Sequence, residues 1–464
     1  MRTPLKNNLP TVFRLSAEDR ASIRNVDAYC DPVDEDNPEM CAFALWAFPN
    51  AHVNIILSPR PLDLQASPYG DDFNNLLKQI GDIGPLILPS SMQKDRTWLE
   101  KVPPEHRALL EAEDKGFEHP RIRDITPKYL VASCYRFAEK FSLLGHDFSR
   151  FTFYWDPSSM DAIVPGIRHS AHVPDYAYGF QNANDDGAGN EANELARFKA
   201  ATDLKNIERE QAIIPIIDHF IHRLFGSFKS KHGLGDALTH PADILHDFTD
   251  LVKERKADPS CVPFVLVGGP FESILTYLEH DLSVQQIWAQ ALSISGGTIN
   301  LFPNQYNIHV AFTAGIDFFD LVQKRGIPTL LTPTEAAKGS KFELTDEQLE
   351  QAFVNAPWFY HATMKFRKET NTLVRNIPFD VVAVVGVVDP DIMPARPVDV
   401  VRGVVRKGEV YGEVEVLKPE VRSEEGETEA RRVCVWMYWK DDEWQGQKVG
   451  DLIRIFQDAF RPVR

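Results

Sequence analysis

The stretch from Tyr29 to Phe48 reads YCDPVDEDNPEMCAFALWAF, and it places a run of carboxylates directly before an apolar segment. Asn37 and Pro38 have the residue types of a helix N-cap and a first helical position, so the positive end of the following helix points back at the acids. The segment MCAFALWAF is apolar on every face, which predicts a helix buried on several sides. The acids therefore occupy a strand-to-helix turn above a rigid helix. They are Asp31, Asp34, Glu35 and Asp36.

This turn predicts the fold class. In open α/β sheets such turns lie at the carboxyl ends of the strands, where ligands bind. Further apolar runs alternate with amphipathic segments along the chain, as expected for strands alternating with helices. The sequence therefore predicts an α/β fold with an open, mostly parallel sheet flanked by helices. The predicted buried strands are His52 to Pro59, Pro263 to Gly269, Trp288 to Gly297, Ile327 to Pro333 and Asp380 to Val388.

Residues 85–231 lack this alternation, and we interpret them as a large, mainly helical or irregular insertion. We expect the insertion to pack over or beside the cleft, so that residues 1–464 form a single domain. Its polar tract from Asn182 to Glu194 approaches an EF-hand loop but lacks the Glu that such a loop needs at its twelfth position, which favours a surface loop. Residues 389–464 are predicted to add a C-terminal hairpin, between GEVYGEVEVLKP and RRVCVWMYWK, and a helix of the same domain.

Composition argues against several classes of partner. Lys and Arg number 50 against 67 Asp and Glu, a formal net charge of −17, which repels nucleic acid and anionic membranes. The N-terminal residues contain no apolar signal region, and no stretch reaches the roughly 18 apolar residues that span a bilayer. The five cysteines are widely spaced without a CxxC pair, which fits a reducing compartment. We therefore expect a cytoplasmic protein that binds neither nucleic acid nor membrane.

Further elements place polar groups where a ligand could bind. Asp380 adjoins an apolar run, so its charge needs a partner. In VGGPFESILTYL, from Val267, a strand ends in Gly-Gly-Pro and leaves backbone carbonyls free to face a ligand. In SGGTINLFPNQYNI, from Ser295, amides follow a Gly-rich turn, and amides suit hydroxyl-rich ligands because each offers a donor and an acceptor. Clustered oxygen ligands favour a hard cation such as Ca²⁺ or Mg²⁺, whereas an acidic helix cap without a metal is the alternative.

Taken in order, these elements resemble the nucleoside hydrolase family, the calcium-dependent enzymes that cleave the N-glycosidic bond of ribonucleosides. YCDPVDED resembles the family's opening Asp-x-Asp-Pro-Gly-x-Asp-Asp, LVGGPFES its Gly-Pro-Leu-Thr-Asn turn, SISGG its Met-Gly-Gly and NQYNI its Glu-Phe-Asn-Ile. KHGLGD is similar to its Gly-Leu-Gly turn, and FDVVAVVGVVDPDI to its His-Asp-Pro-Leu-Ala-Val stretch. The resemblance covers residues 23–64 and 233–464 and leaves the insertion unmatched.

The resemblance implies a Ca²⁺ site and a small-molecule ribonucleoside or related riboside as ligand. Ribose 2′- and 3′-hydroxyls would complete the coordination of the cation, and Asp31 would also orient and deprotonate the attacking water. The implied metal ligands are Asp31, Asp36, Asp380 and the carbonyl of Gly268. The implied ribose contacts are Glu35, Gln305, Asn307 and, with less regular spacing, Asn300.

Several residues depart from the family pattern around the acidic turn and the ribose. Tyr29 replaces the first Asp of the opening motif, Val33 its Gly, and Glu35 the first Asp of its pair. Gln305 stands where the family has Glu, which removes a negative charge from the ribose environment.

The leaving group is affected by a further departure. Phe379 stands where purine-cleaving members have a His that protonates the departing base, and a phenyl ring cannot donate a proton. His361, beside Trp358 and Tyr360, is either a substitute acid near the base or a packed or surface histidine. Three readings stay open: a hydrolase with an altered leaving group, a metal-dependent enzyme acting on another glycoside or polar metabolite, and a catalytically silent binder of a ribose-containing or polyhydroxy metabolite. A homo-oligomer also stays open.

Overall fold

The computed structural model describes residues 9–30, 36–58, 120–157, 221–222, 225–226, 238–290, 293–295, 298–300, 312–333, 336, 340–360, 379–406, 409–416 and 434–463. Its strands are β1 (Asn25–Cys30), β2 (His52–Leu57), β3 (Phe151–Trp155), β4 (Leu245–Asp247), β5 (Phe264–Val267), β6 (Ile287–Gln290), β7 (Ser293–Ser295), β8 (Thr298–Asn300), β9 (Thr329–Thr332), β10 (Ala395–Arg406), β11 (Glu409–Val416) and β12 (Val435–Tyr438). Its helices are α1 (Ala17–Ser22), α2 (Asp36–Ala47), α3 (Pro120–Leu143), α4 (Phe248–Ala257), α5 (Glu272–Glu279), α6 (Phe312–Arg325), α7 (Asp346–Ala352), α8 (Phe379–Val384) and α9 (Asp442–Ala459).

The strands of these segments form one sheet in the order β4-β3-β2-β1-β5-β6-β9-β12-β10-β11-β8-β7. Neighbouring strands from β4 to β12 pair in parallel, and the pairs from β12–β10 onwards are antiparallel. The predicted α/β class with an open, mostly parallel sheet is confirmed. The chain builds outward from β1 to β4 on one side and from β5 to β9 on the other, so β1 and β5 flank a switch point of the kind at which α/β sheets bind ligands.

Two apolar cores cover the two faces of the sheet. The first core contains α2, α3 and α8, and the second contains α4, α5 and α6. Residues Met40 to Leu45 of α2 are all at most 1% exposed, which confirms the prediction of a helix buried all round. The helix begins at Asp36, so Asn37 lies inside its first turn and is not the N-cap that its residue type suggested.

Two predicted strands differ in the structure. The run from Trp288 to Gly297 is divided between β6 and β7, which lie apart in the sheet order. Residues from Asp380 to Val388 form the short helix α8 and a 3₁₀ turn (Val385–Val387) instead. Residues 380–387 are buried, and α8 packs against α2 and β6. A short apolar run does not distinguish a buried strand from a buried helix. Asp380 therefore lies in the first turn of a helix.

The sheet also extends into the predicted insertion, residues 85–231. Within residues 85–231, α3 packs on the first core, and β3 pairs in parallel with β2 on one side and β4 on the other. The sequence reading missed β3 because its five residues stand alone among charged and aromatic segments. The expectation that the remaining insertion covers the cleft concerns residues outside the described part.

The C-terminal region contains a hairpin as predicted, but the strand that pairs with β11 is β10 and not the predicted segment that forms β12. β11 pairs with β10 and not with β12, because β10 lies between them and pairs with both. β12 in turn joins the parallel part of the sheet beside β9. Among the helices that the structure describes, none combines the length and apolar character needed to cross a bilayer.

Candidate functional site

The ends of β1, β2 and β5 are held together by backbone hydrogen bonds beyond the strands themselves. The N–H groups of Gly268 and Gly269 both donate to the Tyr29 carbonyl, at 2.9 and 3.0 Å. On the other side of β1, the Ser58 N–H donates to the Cys30 carbonyl at 2.8 Å. The turn after β5 and the end of β2 therefore meet at the carboxyl end of β1, on either side of the switch point.

Two polar side chains pack directly on the backbone of Gly268. A β-carbon placed on this glycine would lie 2.8 Å from Cγ and 3.0 Å from Oδ2 of Asp380, and 3.1 Å from Oδ1 of Asn37. Asp380 is 2% exposed, and Asn37 is fully buried. Side-chain oxygens from two helices therefore face the same point above a strand end, and any residue with a β-carbon at position 268 would collide with them.

The local fold explains this convergence. Asn37 lies in the first turn of α2, and Asp380 in the first turn of α8, where a carboxylate is stabilised by the positive end of the helix. Because α8 packs against α2, the two helix starts meet beside the turn after β5. Gly268 and Asp380 are two of the four predicted metal ligands, and the structure brings them together from segments more than a hundred residues apart.

The other predicted site residues are less fully described. Asp36 opens α2 directly before Asn37, and Phe379 opens α8 directly before Asp380, but the side chains of both lie outside the described part. Asn300 ends β8, which is separated from β5 in the sheet order by β6, β9, β12, β10 and β11, so the strand order does not place it with Gly268 and Asp380. The predicted residues that fall outside the described segments are Asp31, Glu35, Gln305, Asn307 and His361.

The metal ligation and the ribose contacts therefore stay predictions. Within the described segments, no three His, Cys, Asp or Glu side chains cluster closely enough to hold a metal ion. Asp31 and the side chain of Asp36 lie outside these segments.

The structure reveals buried polar residues near these strand ends that the sequence reasoning missed. Ser58 follows β2 directly and Asp156 follows β3 directly, and they are 5% and 1% exposed. A polar residue immediately after an apolar strand run is the signal that could have identified both, because it marks the carboxyl end of the strand. Glu272, in the first turn of α5, is also buried, at 3% exposure.

A buried ion pair lies on β1 below the site. Asp27 accepts a hydrogen bond from Nη2 of Arg255 at 3.0 Å and one from Nδ2 of Asn54 at 2.7 Å. Burial raises the pKa of the Asp27 carboxyl, with Arg255 and Asn54 opposing the shift. Burial, and then the charge of Asp27, raise the pKa of Tyr29 well above its ordinary value, so this phenol is neutral at any physiological pH.

Comparison with known proteins gave matches only among solved structures, since no family model and no curated protein matches the chain. A plant nucleoside hydrolase matches 95% of this chain and 99% of its own at 11% identity, with a TM-score of 0.45. An inosine-guanosine nucleoside hydrolase matches 95% of this chain and all of its own at 11% identity and a TM-score of 0.45. The type III effector XopQ, solved with adenosine diphosphate ribose, matches 98% of this chain and 97% of its own at 10% identity and a TM-score of 0.42.

At these identities and TM-scores a shared activity does not follow. The two nucleoside hydrolases among these matches belong to the family that the sequence motifs resemble.

Proposed function

We propose that this protein is a calcium-dependent hydrolase that cleaves the N-glycosidic bond of a ribonucleoside or related riboside. The observation that carries the proposal is the convergence of Asp380 and Asn37 on the backbone of Gly268, beside the switch point between β1 and β5. Asp380 and Gly268 are the two described members of the ligand set that the sequence resemblance implies.

The residues present fit a hard cation. Oδ2 of Asp380 and Oδ1 of Asn37 face one point above the strand end, and the sequence resemblance adds the Gly268 carbonyl. Ca²⁺ takes six to eight oxygen ligands from carboxylates, amide side chains and backbone carbonyls, which is the chemistry of this donor set. On the resemblance, Asp31 and Asp36 are the remaining ligands. When bound, the cation supplies positive charge that lowers the pKa of a nearby water and attracts the ribose 2′- and 3′-hydroxyls.

Different residues of the chain are proposed to activate the water and to stabilise the transition state. Asp31 is proposed to accept a proton from the attacking water, whose oxygen joins the anomeric carbon of ribose as the bond to the base breaks. The transition state is oxocarbenium-like, so Glu35 and the amides of Gln305 and Asn307 are proposed to stabilise the positive charge that develops on the sugar. The site lies on a buried base of α2 and α8, where electrostatic interactions are stronger than in water.

Phe379 sets an expectation about the leaving group. A general acid contributes about 10²- to 10⁴-fold to such a reaction, and a site without one handles leaving groups that need no proton far better than purines. We expect p-nitrophenyl riboside to be cleaved faster than inosine, and Phe379→His to narrow this gap.

Release of free ribose from a nucleoside panel and from p-nitrophenyl riboside tests the function, measured with Ca²⁺ and with EDTA. We expect turnover with Ca²⁺ that is abolished by EDTA and by Asp380→Asn. Asp346→Asn, which makes the same change at an exposed carboxylate on α7, should leave turnover unchanged.

The second candidate function is a ligand binder without catalysis, favoured by the replacement of the family's His and Glu with Phe379 and Gln305. Nucleoside binding in a calorimetric titration, together with no ribose released from any substrate in the presence of Ca²⁺, would contradict the hydrolase and support the binder.

A further inference from the structure

Ser58 and Asp156 occupy equivalent positions on neighbouring strands. The parallel strands β2 and β3 end at the register pair of Leu57 and Trp155. The residue that follows β2 is Ser58, and the residue that follows β3 is Asp156. Neighbouring strands lie about 4.8 Å apart, so the two residues are neighbours at the carboxyl edge of the sheet. Cys30 pairs with Leu57 on the opposite side, which places the end of β1 directly beside Ser58.

Strand alternation places both side chains on one face of the sheet. Leu57 and Phe153 pack in the first core, whereas Ile56 and Tyr154 pack in the second. Successive side chains of a strand point to opposite faces, so Ser58 and Asp156 follow Ile56 and Tyr154 to the face of the second core.

The hydroxyl of Ser58 has an unused hydrogen-bonding capacity. Its side-chain oxygen is buried, and within the described structure it has no hydrogen-bond partner. A buried hydroxyl without a partner costs stability, and such groups in folded proteins usually have a functional or solvent explanation. The position of Ser58 at the strand ends, where α/β sheets bind ligands, favours a ligand as the missing partner.

We propose that Ser58 and Asp156 form a second polar subsite of the cleft, which binds a hydrogen-bond donor on the part of a nucleoside remote from its 2′,3′-diol. A carboxylate accepts but does not donate when ionised, and a serine hydroxyl beside it also accepts, so the pair recognises an N–H or O–H group. The candidate groups on a nucleoside are the exocyclic amine of the base and the 5′-hydroxyl. This subsite lies on the β2 and β3 side of β1, opposite Gly268 and Asp380, and its assignment to a nucleoside rests on the proposed function.

Ser58→Ala separates a ligand-binding role from a structural one. Removing a buried hydroxyl that has no partner should leave Tm unchanged or raise it, while the affinity for adenosine, measured by calorimetric titration with Ca²⁺ present, should fall about tenfold. Asp156→Asn, which keeps the shape and removes the charge, should weaken adenosine binding by a similar factor. Ser133→Ala, at a buried serine on α3, should keep the affinity for adenosine. A lower Tm for Ser58→Ala with unchanged affinity would show a structural role and overturn the proposal.

Nucleosides that lack one candidate donor group show which group binds to Ser58 and Asp156. Purine riboside lacks the exocyclic amine of adenosine, and 5′-deoxyadenosine lacks its 5′-hydroxyl. We expect one of the two to bind the wild-type protein about tenfold more weakly than adenosine does, and the same truncation to cost less than about threefold in both Ser58→Ala and Asp156→Asn. If each truncation costs the same in wild type and variants, the subsite assignment is wrong while the proposed function stands. If the wild-type protein binds no nucleoside at all, both are wrong.

Discussion

Gly268→Ala is the most direct test of the candidate cation site. The added β-carbon would lie 2.8 Å from Cγ of Asp380, whereas carbon atoms in contact are about 3.5–4.0 Å apart. The carboxylate, or α8 with it, must therefore shift by at least about 0.7 Å. Ligand distances at a metal site are held within about 0.2 Å, so a shift of this size removes Asp380 from productive coordination.

Unfolding by urea, measured with EDTA and with Ca²⁺ at a concentration well above its Kd, reports this loss. A ligand present at 100 times its Kd stabilises the folded state by about 2.7 kcal/mol. The wild-type protein should gain about this amount from Ca²⁺, and Gly268→Ala should gain almost nothing. In EDTA the variant should already be destabilised by about 1–3 kcal/mol, since the new methyl group overpacks the contact with Asp380 and Asn37.

Two matched glycine variants separate cation binding from general destabilisation. Gly145→Ala, in the turn after α3, places a methyl group 2.6 Å from the Val463 carbonyl oxygen at a φ of +81°, so it should also destabilise the protein but keep the Ca²⁺-dependent gain. Gly450→Ala lies in open space on α9 and should be neutral or stabilising by about 0.5–1 kcal/mol. A Gly268→Ala protein that keeps the full Ca²⁺-dependent gain would refute the placement of Asp380 at the cation.

Two buried charges give further predictions. Arg255→Met leaves the Asp27 carboxylate unpaired and should cost about 3–5 kcal/mol in urea unfolding. Because a buried, unpaired carboxyl has a raised pKa, this loss should be larger at pH 8 than at pH 5, and adding Asp27→Asn should recover most of it; equal losses at both pH values would contradict the argument. Burial, with a smaller effect of Arg150, lowers the pKa of His146 to about 4. The unfolded chain therefore takes up this proton first, and stability on the order of 3 kcal/mol is lost as the pH falls from about 6.5 to about 4. His146→Gln should reduce this loss of unfolding free energy at acidic pH. An unchanged loss in the variant would contradict its attribution to His146.

Local patterns in the sequence were sufficient for several strands, for the start of α7 and for the burial of α2. The apolar runs that became β2, β5 and β9 are short and bounded by Pro or Gly, so strand formation follows from their own composition. The capping box of Thr345 and Gln348 at the start of α7 depends on local sequence alone, because its two hydrogen bonds join residues only three apart. Burial of α2 also follows from its own residues, since a helix without a polar face has no side to offer to water.

Other features depended on contacts between distant segments. The run after Asp380 became a helix through its packing against α2 and β6, and β3 joined the sheet because β2 and β4 flank it. Asp27 and Arg255 are 228 residues apart, and neither residue alone predicts the other as its partner.

The candidate site shows most clearly the difference between what local sequence determines and what contacts between distant segments decide. The sequence alone determined that Gly268 ends a strand and that the Asp380 carboxylate needs a partner. Only the tertiary structure decided that Asp380 and Asn37 meet over Gly268, and that Ser58 and Asp156 stand side by side at the ends of β2 and β3. The physical reason is that hydrophobic periodicity encodes which residues are buried, whereas the pairing order of parallel strands decides which buried polar groups become neighbours.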